Sequence, residues 1–188
     1  MNLFSIFTLF FSLLAVNIIA AEALELPKGW KKGMIKPMTT IQAWKIANFQ
    51  LKGDKVCYSY LEPYRSTIIE GERNYEPYLM VIYLNKGKFT ISLQTGVSLG
   101  RHGKVMMELN HKTHLLNSPK DSYAWTSSAQ QDVKIINDII TEGVEVMEIR
   151  TYDVDRMRTP EEYSRTIDSY SLKGIDKALI YMQENCKF

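Results

Sequence analysis

With 188 residues, 45% of them hydrophobic and 23% charged, the chain has the length and composition of one globular domain with a real core. The 23 lysines and arginines exceed the 21 aspartates and glutamates by only two. So slight a basicity gives no ground for expecting a nucleic-acid partner. No internal repeat and no low-complexity tract interrupts the chain.

Residues 1–23 read as an export signal. Leu3 to Ala15 is apolar apart from Ser5, Thr8 and Ser12, and Ala21-Glu22-Ala23 supplies small residues for cleavage. The n-region carries no Lys or Arg, and the competing reading is an uncleaved anchor or a buried helix. Asn17 and the hydroxyls make the segment a poor membrane span, so no integral span is expected once it is removed. Residues 24–40 form a basic arm, with Lys28, Lys31, Lys32 and Lys36 around Trp30 and Met34. Pro27, Gly29, Gly33 and Pro37 break any regular structure there, which predicts a flexible solvated arm rather than an interfacial membrane helix.

Residues 41–188 read as a single domain. Lys55 to Leu61 has the β-branched and aromatic content of a strand and carries Cys57. Glu62 to Pro77 is polar, holds Pro63, Gly71 and Pro77, and reads as a long loop. Tyr78 to Leu84 is a continuous apolar run, the signature of a strand buried on both faces. Asn85 to Lys88 turns the chain into Phe89 to Gln94, whose alternation makes this hairpin the clearest local feature. Short strands follow over Val105 to Leu109 and Thr113 to Asn117, around an Asn110-His111-Lys112 turn.

Trp125 reads as a core anchor within Ser122 to Thr126. Ser128 and Gln131 form a capping box for a helix over Ala129 to Thr141, stopped by Gly143. Its buried face is expected to hold Val133, Ile136 and Ile140, with Ile135 and Ile139 alongside. Val144 to Tyr152 alternates as a strand, with Val144, Val146 and Ile149 on one side. Asp153 to Glu162 reads as a charged loop and Tyr163 to Leu172 as a last strand. After Gly174, the positions Ile175, Ala178, Leu179, Met182 and Cys186 draw one stripe on a C-terminal helix. The sum is a mainly β protein on the border of all-β and α+β. The expected architecture is an antiparallel β-sandwich with one internal helix and a C-terminal helix. Most strands are joined by turns too short for a parallel crossover.

Motifs that would carry chemistry are sparse. His111 and His114 make an H-x-x-H, but on a hairpin they need not converge, and no carboxylate or cysteine lies near in sequence to complete a zinc site. They read as solvated turn histidines, and no metal, cofactor or catalytic residue is expected. Asp153 and Asp155 lack the spacing of a calcium loop and are interleaved with Arg156 and Arg158. No Gly-x-Ser-x-Gly elbow and no glycine-rich phosphate loop occurs. The two cysteines lie far apart with no C-x-x-C, which in an oxidising compartment favours a Cys57–Cys186 staple over two separately buried thiols.

The order of landmarks resembles the invasion-associated locus B family of Gram-negative bacteria, from about Trp44 to Cys186. The resemblance runs through Cys57-Tyr58 in a strand, the aliphatic Tyr78 to Leu84 and Gly96-Val97-Ser98-Leu99. Tyr123-Ala124-Trp125, the helix ending at Gly143 and Asp168 to Gly174 before the last helix continue it; the last passage is the most specific. This chain has few cysteines and a longer arm before Trp44. The resemblance implies a small exported protein of the periplasm or outer surface, linked to host-cell entry and without an established catalytic activity. Its partner would be an envelope or host protein; a small periplasmic hydrolase or thiol-redox enzyme is the alternative. Tyr60, Tyr64, Arg65, Arg73 and Tyr75, with Arg156 and Arg158, are of the residue types that dominate binding surfaces and form the expected interaction surface.

Overall fold

A computed structural model describes residues 37–51, 54–85, 88–99, 103–120, 122–152 and 164–186. The export segment, nearly all of the basic arm, His102, Arg156 and Arg158 lie outside the described residues. In chain order the strands are β1 (Thr39–Ile41), β2 (Trp44–Leu51), β3 (Asp54–Leu61), β4 (Arg65–Ile68), β5 (Tyr78–Asn85) and β6 (Lys88–Gln94). Then come β7 (Lys104–Leu109), β8 (Lys112–Lys120), β9 (Tyr123–Trp125), helix α1 (Ala129–Thr141), β10 (Val146–Tyr152), β11 (Ser164–Ser171) and helix α2 (Ile175–Asn185). β1 begins two residues before the expected domain start.

Every strand pair is antiparallel, as the short connections predicted. The hydrogen-bonded order is β1-β2-β3-β5-β6-β9-β8-β7-β10-β11-β4. It divides into two sheets that meet at β8, whose first half pairs with β7 and whose second half pairs with β9. Hairpin geometry is set locally. Leu109 faces Lys112 across a two-residue turn that Asn110 opens at φ 53°, a left-handed conformation asparagine tolerates well.

The main core draws on both sheets and both helices: Trp44, Leu79, Val81 and Leu93 meet Met107, Ile149, Tyr170, Ile135, Leu179 and Met182. β5 is buried on both faces, as its unbroken apolar run required. Leu79, Val81 and Tyr83 enter the main core, while Tyr78, Met80 and Ile82 join Ala47, Val56 and Tyr58 in a second cluster on the opposite face. The α2 stripe is buried as expected through Ile175, Ala178, Leu179 and Met182. Gly174 precedes the helix at φ 82°, which the missing Cβ permits. Cys186 caps α2, and the fold brings it to disulfide distance of Cys57 with Cα atoms 5.9 Å apart.

Four expectations are corrected. Glu62 to Pro77 is not all loop, because β4 lies within it and extends the second sheet by pairing with β11. Trp125 is only half-buried, and it is its neighbour Ala124 that enters the core. On α1 the buried positions are Asp132, Ile135, Ile136 and Ile139, whereas Val133 and Ile140 are 56% and 47% exposed. The cause is Asp132, whose Oδ1 accepts from the Ile91 backbone N–H at 2.8 Å and from Thr126 Oγ1 at 2.6 Å. Burial pushes this carboxyl up, against the hydrogen bonds from Thr126, Ile91 and Thr90. A buried carboxylate served by such donors sets the helix rotation, and the apolar stripe follows. On β10 the buried residues are Met147, Ile149, Thr151 and Tyr152, and Val146 faces outward.

The α1 ends follow their chemistry. Ser128 Oγ accepts from Gln131 N at 3.2 Å, while Gln131 Oε1 accepts from Ser127 N at 2.6 Å, so the capping box is displaced by one residue. At the other end Gly143 turns left-handed at φ 60°, and Val144 N donates to Ile139 O at 3.0 Å, closing a Schellman turn.

Candidate functional site

The expected surface divides into anchors and rim. Tyr60 and Arg73 are partly covered, whereas Tyr64, Arg65 and Tyr75 are exposed. Tyr60 packs against the second cluster, with Lys45 Nζ 5.5 Å from its ring centre and Lys45 also bonded to Glu62 at 2.8 Å. Arg73 is the anchor of the segment that leads from β4 to β5. Its Nη2 donates to both Asp168 oxygens, at 2.7 and 2.8 Å, one nitrogen straddling the carboxylate in a charge-assisted contact. Ser66 Oγ donates to Asp168 Oδ1 at 2.6 Å and accepts from Arg73 Nη1. The Asp168 side chain is 1% exposed and that of Arg73 11%. Beneath them Tyr170 is fully buried, and its hydroxyl is pushed well up by that burial and by the Asp168 carboxylate, with Arg73 acting the other way.

Backbone contacts also hold the segment. Ile69 N donates to Arg165 O at 2.8 Å, and Asn74 N donates to Gly96 O at 2.9 Å. Gly96 sits at φ 77°, and a Cβ there would come 2.4 Å from the Tyr75 carbonyl oxygen, so only glycine fits. The result is a cleft of about 360 Å3 between the end of β3, β4 and the approach to β5. Pro63, Ser66, Arg73, Tyr75, Glu76 and Pro77 line it. Tyr75, which lines the cleft, is 57% exposed, and on the same segment between β3 and β5 Tyr64, Ile68 and Ile69 are exposed as well. Arrangement and composition suit contact with another molecule: aromatic and proline surfaces on a segment fixed from below.

Asp168 enters the sequence reading only as the first residue of the passage before the last helix and not as a buried partner, although alternation along β11 puts it on the inward face with Thr166 and Tyr170. A lone acid between buried neighbours signals a buried partner. The histidines are corrected in part. His111 is exposed in the turn, but His114 on β8 is 7% exposed and faces α1. Among the described residues no group of three His, Cys, Asp or Glu side chains stands close enough to hold a metal ion, and no helix is long and apolar enough to cross a membrane.

Fold and cleft define an antiparallel β-sandwich with a cleft at one edge braced by the Arg73–Asp168 pair. No protein-family model matches the chain, and no curated protein matches it. Among solved structures it is similar to invasion associated protein B from Bartonella henselae, at 14% identity and a TM-score of 0.48. That likeness covers 78% of this chain and 96% of the other and is a distant structural resemblance only.

Proposed function

We propose that the chain is an exported cell-envelope protein of the invasion-associated locus B kind, working by binding rather than catalysis. After cleavage near Ala23 it resides in the periplasm or at the outer surface. It engages an envelope or host protein through the exposed Tyr64, Arg65 and Tyr75 of the segment between β3 and β5. The observation that carries this reading is the pairing of exposed tyrosines with a buried brace. Tyr64 and Tyr75 stand 62% and 57% exposed on a segment held by the Arg73–Asp168 pair. Large aromatic side chains on a preorganised segment lose little conformational freedom on binding, which is how a few residues come to dominate an interface. The landmark residues from Cys57 to Gly174 and the reach of Cys57 to Cys186 support the exported setting.

The test compares capture of a partner from envelope and host-cell extracts by the wild-type chain and by a Tyr64→Ala/Tyr75→Ala variant. Both residues are exposed, so the variant should keep its fold, within about 0.5 kcal/mol per site. Loss of a partner that the wild type retains at equal loading supports the reading. Equal capture by both proteins removes this surface from it.

A further inference from the structure

The sheet that runs β1-β2-β3-β5-β6-β9 is apolar on both faces. Its inner face meets both helices and the second sheet in the main core. The opposite face carries Ala47, Val56, Tyr58, Tyr78, Met80 and Ile82, and every residue of that cluster comes from this sheet itself. Strand pairing aligns them side by side: Ala47 faces Tyr58, Tyr58 faces Ile82, and Tyr60 faces Met80. Yet Ala47, Tyr58 and Met80 are 0% exposed, Ile82 1%, Tyr78 5% and Val56 8%. A sheet face leaves water this completely only beneath a second layer. Among the described residues the helices and the second sheet bury their apolar side chains in the main core instead.

We propose that this layer is the chain's own N-terminal arm, residues 24–36, docked across the tyrosine and methionine face. The point of attachment favours it. β1 ends the sheet beyond β2, and Thr39 faces Ile46, which sets Met38 beside Ala47 of the covered face. Met38 N donates to Ile46 O at 2.7 Å and fixes this entry. Trp30 precedes Pro37 by seven residues, a reach of at most about 25 Å. At ordinary strand spacing β3 and β5 lie only about 10 and 15 Å from β1. Leu26, Trp30, Met34 and Ile35 bring apolar surface to the arm, and Lys28, Lys31, Lys32 and Lys36 bring positive charge. Ammonium groups suit tyrosine rings, as Lys45 shows with its Nζ 5.5 Å from the ring centre of Tyr60. Pro27, Gly29 and Gly33 disfavour a helix and suit an extended crossing. Residues 153–163 also lie outside the described residues, but they leave from and return to the second sheet, where Tyr152 faces Ser164.

Photo-crosslinking in the full chain, with Trp30 replaced by p-benzoylphenylalanine and the adducts mapped by mass spectrometry, tests the docking. Adducts within the same chain on residues 56–60 or 78–82 are expected. Adducts between chains would make a second copy the cover and overturn the proposal, as would adducts elsewhere in the chain or none. The same probe at Phe11 marking this face, while the probe at residue 30 does not, would make residues 1–23 the cover and overturn it too. Proteolysis of the wild type needs no replacement. Trypsin should cut after Lys28, Lys31 and Lys32 at least about tenfold more slowly in the folded chain than in a free peptide of residues 24–36, and equal rates overturn the proposal.

Discussion

Asp168→Asn probes the brace beneath the cleft. The substitution is nearly isosteric, but it removes the charge that faces Arg73 and presents an amide donor to a guanidinium and a hydroxyl. Arg73 makes both its Nη2 bonds to Asp168, at 2.7 and 2.8 Å, and Ser66 adds a third at 2.6 Å. With the carboxylate 1% and the guanidinium 11% exposed, water cannot replace the lost partner without opening the segment. Breaking such a pair from one side costs about 3–5 kcal/mol, because an uncompensated charge stays buried. For a domain of this size that is a fall in Tm of about 6–20 °C. Urea denaturation of wild type, Asp168→Asn and the double variant Arg73→Met/Asp168→Leu measures it. The double variant should recover most of the loss, since an apolar pair of similar volume carries no desolvation penalty. A loss under about 1 kcal/mol in Asp168→Asn, with an unchanged m-value, would show that the pair is solvated and that the cleft has no such brace.

Thiol counting on the unreduced, denatured protein should find no free thiol. Removing the bridge by Cys186→Ser should cost up to about 5 kcal/mol on the chain-entropy account of a loop this long, and two free thiols would show that the staple does not exist. Gly96→Ala should destabilise by about 1–3 kcal/mol, because it adds a Cβ at φ 77° against the Tyr75 carbonyl; chemical denaturation reads this directly, and a neutral effect would mean the turn is free to shift. His111→Ala should lie within about 0.5 kcal/mol of wild type while His114→Ala falls well below it, and equal effects would contradict the burial difference. N-terminal sequencing of protein recovered from its native envelope should begin near Leu24, and an intact Met1 would remove the export reading.

The pattern of residues alone determined the antiparallel β class, the β5–β6 hairpin, both helices with their end signals and the α2 stripe. Each of these is written in near neighbours: an alternation of two, a repeat of 3.6, or a glycine where a chain must turn left-handed. The reach of Cys57 to Cys186 was legible in another way, from the expected compartment and the cysteine count rather than from geometry. What only the tertiary structure decided depends on partners far away in the chain. β4 is a strand because β11 pairs with it, since Arg-Ser-Thr-Ile on its own shows no alternation. α1 is rotated by Asp132 meeting Ile91 and Thr126, so an apolar count put Val133 and Ile140 on the wrong side. Arg73 was legible as a binding-type residue, but its role as a brace needed Asp168, 95 positions away. His114 left the solvent because α1 folds over its strand. Local periodicity records which face an element would bury, whereas contacts between distant polar groups settle which face it does bury, because an unpaired polar group in the interior costs more than an apolar one left in water.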